Sequence, residues 1–486
     1  MIKRIVCILL LLSMLSVTFI GCSKKDKEED QNSVSTSDVK EDDEISDGLP
    51  DNLNYGKTIC VLATESQMNK TFVTDLTGTA MNDALYIRLK ATETRLGVTF
   101  EFIPCAHAWE DASNYTDMVR NDILANAVSE YDLFMSYNLL PSLMITNGYL
   151  SDLTQSLYLD TKKPWWPQNM LEEATIDNKL YYVVDNCSWG SIRNMACIVF
   201  NKDLAKTYSI NEADLYNEVF EHNWTIETME KYITNVYSDV GGNGERDEKD
   251  IYGLACDGAP RLDAFFYGSG LRTTDRDSEG NLVLTLNDAK IVDVVERYKK
   301  LLHSNTSVYS KPDPAIDSMF KNKTVLFYET AIAIADQQLE FDYGVLPIPM
   351  WDTDQEEYIT YLSNTHDAWS VPINTSDIDM AGALLTSLAC EAYRTVMPQY
   401  FEEMLKLRYS SDVESARVYD IIRDGVVFDF GYMFGMSFTG GYAPFFPFRH
   451  CLINKDQSWT STLETYEDRF NEDITTILTS IRDNNK

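Results

Sequence analysis

A chain of 486 residues exceeds the size at which one hydrophobic core keeps growing, so two packed units are the expectation. Its 44% hydrophobic fraction, with 28 Tyr and 8 Trp, excludes disorder throughout. The formal net charge of -35, from 76 Asp and Glu against 41 Lys and Arg, argues against nucleic acid and other polyanions as partners and favours a neutral or cationic small molecule.

The first residues read as a leader spanning 1–21. Lys3 and Arg4 precede an apolar run from Ile5 to Ile20, too short for a comfortable transmembrane helix, which needs about 20 residues. The run ends in Phe19-Ile20-Gly21-Cys22, which resembles the bacterial lipobox, with Phe19 in place of the usual Leu. That resemblance implies diacylation of Cys22, including palmitate, and a membrane held through this lipid; the alternative is an ordinary signal peptide with an incidental Cys. Residues 22–54 are charged, strongly acidic and nearly free of apolar side chains, so they are expected to stay disordered as a tether. No other stretch approaches membrane-spanning length. Of nine Cys, the seven left after Cys7 and Cys22 are widely spaced and lack any CxxC, which favours free buried thiols.

Thr58 to Ala63 reads as a strand, Asn82 to Thr94 as a helix stopped by Gly97, Val98 to Ile103 as a strand, Tyr115 to Val128 as a helix, and Tyr131 to Met135 as a strand. This alternation predicts a parallel open sheet with helices on both faces, whose ligands lie beyond the carboxyl ends of the strands. Trp165 and Trp166, bracketed by Pro164 and Pro167, are expected inside a lobe. Two apolar runs follow, Lys179 to Val184 and Met195 to Phe200. The polar segment between them mixes carboxylate, amide, indole and guanidinium around Gly190, and reads as a crossing between two lobes where a ligand would sit. Thr225 to Ser238 has helical spacing, and Ile291, Val294, Val295, Tyr298, Leu301 and Leu302 form a helical stripe behind a capping Asn287 or Asp288. Thr324 to Tyr328 and Phe341 to Pro347 read as strands, and Trp369 to Pro372 as a second crossing. Helical pattern returns from Asp377 to Leu407, and the last helix keeps Trp459, Leu463, Tyr466, Phe470, Ile474, Ile477 and Ile481 on one face.

Several ordered motifs carry a family resemblance. Gly148 to Thr154, Asp177 to Tyr182 and Val199 to Leu204, supported by Asn82-Asp83-Ala84, Lys163 to Trp166, Tyr343 to Pro347 and Phe428 to Gly431, resemble the family 1 extracellular solute-binding proteins. These are the binding lipoproteins of carbohydrate ABC importers, similar to maltodextrin-binding proteins. The resemblance covers roughly 55–440. It implies an α/β, two-lobed periplasmic-binding-protein-like fold of the class II type, each lobe an open, mostly parallel sheet flanked by helices, joined by hinge crossings. On that pattern 55–185 and 369–410 make the N-terminal lobe, and 186–368 and 411–486 the C-terminal lobe. It further implies capture of a neutral carbohydrate of oligosaccharide size, delivery to ABC permease subunits, and action as a monomer.

Sugars present an apolar C–H face and a rim of hydroxyls, so their sites need aromatic platforms and polar side chains. Trp189 in the first crossing is the leading platform candidate, with hinge packing as its alternative, followed by Trp369. Tyr328 and Tyr432 lie where similar proteins present ligand-facing aromatics, with core packing as the alternative. The polar rim is drawn from Glu65, Ser136, Asn138, Arg193, Asn194 and Asp257, in loops after strands or at a crossing. Arg193 stands out because a fork of donors beside an indole suits paired hydroxyls.

The stretch from Asp239 to Asp250 has calcium-loop spacing, with oxygens from Asp239, Asn243, Glu245 (backbone), Asp247 and Asp250 and with Gly244 at the sharp turn. Gly241 offers no side chain where an EF-hand has a ligand, and Asp250 replaces the bidentate Glu. A structural calcium ion is one reading; a Gly/Asn turn with scattered charge is the other. No further cofactor is called for.

Enzymatic chemistry finds little support. The five His are isolated, with no HExxH pair. Gly435 to Gly440 misses GxSxG by one residue, and Gly268-Ser269-Gly270 is too short for a phosphate loop. The alternatives left open are a binding lipoprotein for another solute such as a peptide, a surface glycan-degrading enzyme, and a structural surface lipoprotein without ligand. One undivided core, or a gap lined only by aliphatic and acidic groups, would remove the receptor reading.

Overall fold

The computed structural model describes residues 45–106, 112–185, 188–257, 260–311, 315–337, 339–409 and 412–484. The leader, Cys22 and the tether as far as residue 44 lie outside the described residues, as do residues 186 and 187 of the first crossing. The packed body begins before Tyr55, inside the stretch expected to be tether. Leu49 is buried, and Arg95 reaches back to pair with Asp47 at 3.0 Å and to donate to the Leu49 carbonyl at 2.8 Å. Lys163 adds a bond to the Ser46 carbonyl at 3.3 Å, and Leu53 packs against the core, so the end of an otherwise acidic segment is fastened.

Ten strands build two sheets among the described residues: β1 (Lys57–Thr64), β2 (Val98–Cys105), β3 (Leu133–Tyr137), β4 (Tyr182–Val183), β5 (Ala196–Asn201), β6 (Tyr252–Asp257), β7 (Val308–Lys311), β8 (Val325–Ala331), β9 (Tyr343–Leu346) and β10 (Asp367–Ser370). The first sheet has the order β2-β1-β3-β10-β4 and the second β9-β5-β8-β6-β7. Each sheet runs mostly in one direction with one reversed strand. In the first, β1, β2 and β3 are parallel and β10 is antiparallel to both β3 and β4. In the second, β5 is antiparallel to both β8 and β9 while β8, β6 and β7 are parallel. The reversed strand is in each case the one that arrives from the opposite sheet, β5 after the first crossing and β10 after the second. The second crossing runs from β9 to β10 rather than over the expected Trp369 to Pro372, Trp369 itself lying within β10. A chain entering from the far side has no crossover helix with which to regain the common direction.

The helices cover these sheets as their patterns require. Ala80–Leu96 ends at Gly97, whose φ of 62° supplies the left-handed residue that closes a helix. Ala289–Ser304 starts on Asp288, whose carboxylate accepts from Lys290 N at 2.8 Å, and its six-residue stripe is buried. The long pattern from Asp377 divides. Ile378–Glu391 is a regular α-helix, after which Ala392–Val396 and Pro398–Tyr409 adopt wider i→i+5 turns. Pro398 has no N–H to donate and its ring crowds the carbonyl one turn before it, and the wider turns lie on both sides of it. Trp165 and Trp166 are buried. Among the described residues all six Cys are free thiols, and five of these are buried. The buried apolar side chains form one continuous cluster, because the crossings are themselves packed, but no strand is shared between the two sheets.

Candidate functional site

The connecting segments between the sheets meet edge to edge. Met195 bridges Leu362, and Thr360–Tyr361 pairs in parallel with Val426–Val427. Asn194 is shared between two crossings: its backbone carbonyl accepts from Ser363 N at 3.2 Å and its Oδ1 from Thr365 Oγ1 at 3.0 Å. Its Nδ2 donates to the Gly190 carbonyl at 2.7 Å. Gly190 lies against the buried Asp367, so close that a Cβ there would meet the two carboxylate oxygens at 3.1 and 3.2 Å. The glycine of the first crossing therefore serves close approach to the second.

On one side of this junction lies a cavity of about 390 Å³. Its walls are Leu139 just after β3, Tyr361 and Ser363 to Thr365 from the second crossing, Tyr432, and the loop carrying Met436, Phe445 and Phe446, with Arg449 behind. The aromatic rings form a contiguous surface, with centroids 5.3 Å apart for Tyr361 and Tyr432 and 4.7 Å apart for Tyr432 and Phe445. Phe445 and Phe446 stack at 4.7 Å. Tyr432 Oη bonds Tyr361 Oη and accepts from Asn364 N at 3.1 Å. Burial pushes both phenols well above their ordinary pKa, so they stay neutral hydroxyls. Arg449 Nε donates to Asp263 Oδ1 at 3.1 Å, and a second guanidinium nitrogen binds Oδ2. Burial works against the charge on Arg449, and Asp263 more than offsets it, so the guanidinium is held above its usual pKa. The cavity thus combines flat apolar faces, hydroxyls and an amide with a cation whose charge is matched.

The structure brings three of the sequence-predicted rim and platform residues to this junction. Asn138 is buried and donates from Nδ2 to Asn364 Oδ1 at 2.9 Å, its own Oδ1 having no protein partner. Asn194 and Tyr432 are placed as described. Trp189 and Arg193 stand beside it on a short helix, the guanidinium 4.8 Å from the indole centroid. Arg193 Nε donates to Asp336 Oδ2 at 2.6 Å, Tyr400 Oη donates to Asp336 Oδ1 at 2.9 Å, and the Tyr400 ring meets the Trp189 ring edge-on at 6.3 Å. The Trp189 Nε1 donor is buried without a protein partner.

The remaining candidates sit elsewhere. Glu65 is exposed at the start of the helix Glu65–Thr71, while its neighbour Ser66 meets Tyr137 Oη at 2.6 Å. Ser136 is buried within β3 and donates to the Tyr137 carbonyl at 3.2 Å. Tyr328 is buried, accepting from Arg261 at 2.9 Å and donating to Asp317. Trp369 is 2% exposed in β10, edge-on to Phe72 at 5.8 Å. Asp257 ends β6, and its side chain lies outside the described residues. Sequence reasoning passed over Tyr361, Asn364, Phe445, Phe446 and Arg449. The signal for the last three was present in Tyr442-Ala443-Pro444-Phe445-Phe446-Pro447-Phe448-Arg449, an aromatic run following Gly440 and Gly441.

In the loop with calcium-like spacing, Asp239 accepts from Gly242 N at 2.6 Å and Gly244 N at 2.9 Å. Asn243 Oδ1 accepts from Glu245 N at 2.8 Å and Asp247 from Lys249 N at 2.9 Å. Asp250 is buried and accepts from Tyr237 Oη at 3.0 Å and Val240 N at 3.1 Å. Among the described residues no three acidic, His or Cys side chains stand together as a cation cage. The carboxylates hold the loop's own backbone, and each retains further lone pairs.

No protein-family model matches the chain and no curated protein matches its sequence. Solved structures do match. UgpB from Mycobacterium tuberculosis in complex with glycerophosphocholine is 13% identical over 85% of this chain and 98% of that one, with a TM-score of 0.58. The extracellular solute-binding protein from Staphylococcus aureus in complex with maltose is 13% identical over 86% and 98%, with a TM-score of 0.56. The maltose/maltodextrin-binding domain MalE from Bdellovibrio bacteriovorus bound to maltotriose is 14% identical over 86% and 100%, with a TM-score of 0.53. The chain therefore has the α/β fold of the two-lobed solute-binding proteins, along nearly the whole length of each of these structures.

Proposed function

We propose that this protein is an extracytoplasmic receptor that captures a neutral carbohydrate of oligosaccharide size in its cleft and delivers it to ABC permease subunits, performing no chemistry itself. The observation that carries this reading is the cavity beside the junction of the crossings: contiguous aromatic faces beside hydroxyl and amide groups, with Arg449 already matched by Asp263. Such a wall suits stacked C–H faces and paired hydroxyls better than a charged guest. Asn138, Asn194, Trp189, Arg193 and Tyr432 are the candidate ligand contacts, joined by Tyr361, Asn364, Phe445 and Phe446. The lobes are taken as 55–185 with 369–410 and 186–368 with 411–486, and Cys22 as the lipid attachment that keeps the monomer at the bacterial membrane. No helix among the described residues is long and apolar enough to cross a membrane.

The fold by itself does not choose the solute, because the mycobacterial protein of the same fold holds glycerophosphocholine. A thermal-shift screen makes the choice. Stabilisation by neutral oligosaccharides and not by peptides or glycerophosphodiesters is the expected result, since a ligand that binds only the folded state raises the midpoint with its concentration. Stabilisation by peptides alone would replace the carbohydrate reading, and release of reducing sugar from glycans would replace the non-enzymatic one.

A further inference from the structure

The last helix, Trp459–Asp483, reaches both sides of the molecule. It packs against Ala289–Ser304, which lies on the second sheet's side, and against Phe446–Ile453, where Cys451 Sγ meets Thr462 Oγ1 at 3.5 Å near the helix start. Its tip contacts the first-sheet side. Arg482 forks onto Asp177 at 2.7 and 3.2 Å, in the turn before β4. Asn484 donates to the Thr146 carbonyl at 2.9 Å, at the end of the helix that follows β3. Midway along the helix, Asp473 accepts both the backbone N–H and the hydroxyl of Thr439, at 3.0 and 2.6 Å. Arg469 donates to the Tyr442 carbonyl at 3.3 Å and lies 5.1 Å from that ring's centroid. Thr439 and Tyr442 flank Gly440 and Gly441, whose φ values of 69° and 67° leave this turn little conformation of its own to rely on. The same loop carries Met436, Phe445 and Phe446 into the cavity.

We propose that the last helix is a strut. Asp473 and Arg469 are positioning residues for the aromatic wall of the cavity, and the Arg482–Asp177 and Asn484–Thr146 contacts fasten that wall to the first-sheet side and part when the cleft opens. An α-helix rises about 1.5 Å per residue, so roughly 14 Å of rigid rod separates Asp473 from Arg482. A displacement at the tip is therefore transmitted to the loop rather than absorbed. The ligand-binding consequence rests on the cavity being the solute site; the mechanical coupling does not.

The test compares wild type, the double variant R482A/N484A and the charge swap D177R/R482D by amide hydrogen exchange without ligand, and by calorimetric titration with maltotriose. The expected result is faster exchange both at 141–146 and at 435–446 in the double variant, reversed in the swap. Maltotriose affinity should fall by about twofold to fivefold, the range of an exposed ion pair, and also recover in the swap. Fraying confined to the helix tip, with exchange in the 435–446 loop unchanged, overturns the strut. If wild type itself takes up no maltotriose, it is the choice of sugar that fails, and the exchange data still decide the coupling.

Discussion

Asn364 grips Tyr432 twice, its backbone N–H donating to the phenol oxygen at 3.1 Å and its Nδ2 donating to the Tyr432 carbonyl at 3.1 Å. The second crossing is thereby bolted to the segment that supplies the cavity's central ring. Tyr432→Phe removes the acceptor for a buried backbone N–H while keeping the aromatic surface. Leaving such a donor unpaired costs about 1–3 kcal/mol, so the urea midpoint should fall by a corresponding amount, and any sugar bound through this hydroxyl should bind more weakly. An unchanged midpoint would mean that Asn364 N finds another acceptor and that the grip is not structural.

How far the chain could be read in advance depends on how local the determinants are. The face of the last helix was legible because Phe470, Ile474, Ile477 and Ile481 repeat at helical spacing, and all are buried. Asp288 was legible as a cap because capping needs only the next turn. The cavity was not, since Leu139, Tyr361, Tyr432 and Arg449 share no periodicity and come to one wall from separate segments of the chain. Trp369 shows the same limit from the other direction: an aromatic residue at a crossing looks like a platform, but in β10 it pairs with Met135 and turns into the core. The break after Glu391 was signalled by Pro398 and hidden by an otherwise unbroken helical pattern.

Gly190→Ala tests the contact between crossings. The added Cβ would stand 3.1 Å from Asp367 Oδ1, an atom with no protein partner to which it could retreat. Overpacking of this kind costs about 1–3 kcal/mol. The expected result is a lowered thermal midpoint that Asp367→Asn does not restore, because the amide is as large as the carboxylate. Restoration by Asp367→Ala in the same background would identify the clash as the cause.

Calcium is the proposed occupant of the loop from Asp239 to Asp250. Binding would require the carboxylates of Asp239 and Asp247 to turn spare lone pairs inward, with Asn243, the Glu245 carbonyl and Asp250 completing the oxygens. Chelator-treated protein titrated with calcium should release heat and gain thermal stability, and Asp247→Ala should abolish both. A flat titration with an unshifted midpoint removes the ion and leaves the loop as a turn held by its own side chains.

The neighbours His366 and Asp367 make opposite demands on pH. Burial lowers His366 to about 4, while its Nδ1–H donates to the Ser363 carbonyl at 2.7 Å. Burial raises Asp367 to about 6, against the opposing hydrogen bond from Thr71. For His366 the unfolded chain takes up its proton first, near pH 6.5, so the stability it contributes is complete above that value and drains away as pH falls toward 4. For Asp367 the folded protein takes up its proton first. Its contribution therefore has the reverse slope, growing as pH falls from 6 toward the ordinary carboxylate value of 3.8. The two slopes oppose each other in wild type, and each variant should uncover the other residue. Asp367→Asn should lose stability on acidification by an amount on the order of 3 kcal/mol across the His366 window. His366→Gln should gain stability over the Asp367 window instead. Urea unfolding at half-unit pH intervals reads both slopes as differences from wild type, in which Glu173, pushed up to about 7 by burial, titrates as well, and parallel profiles for the two variants would show that neither group titrates as its burial requires.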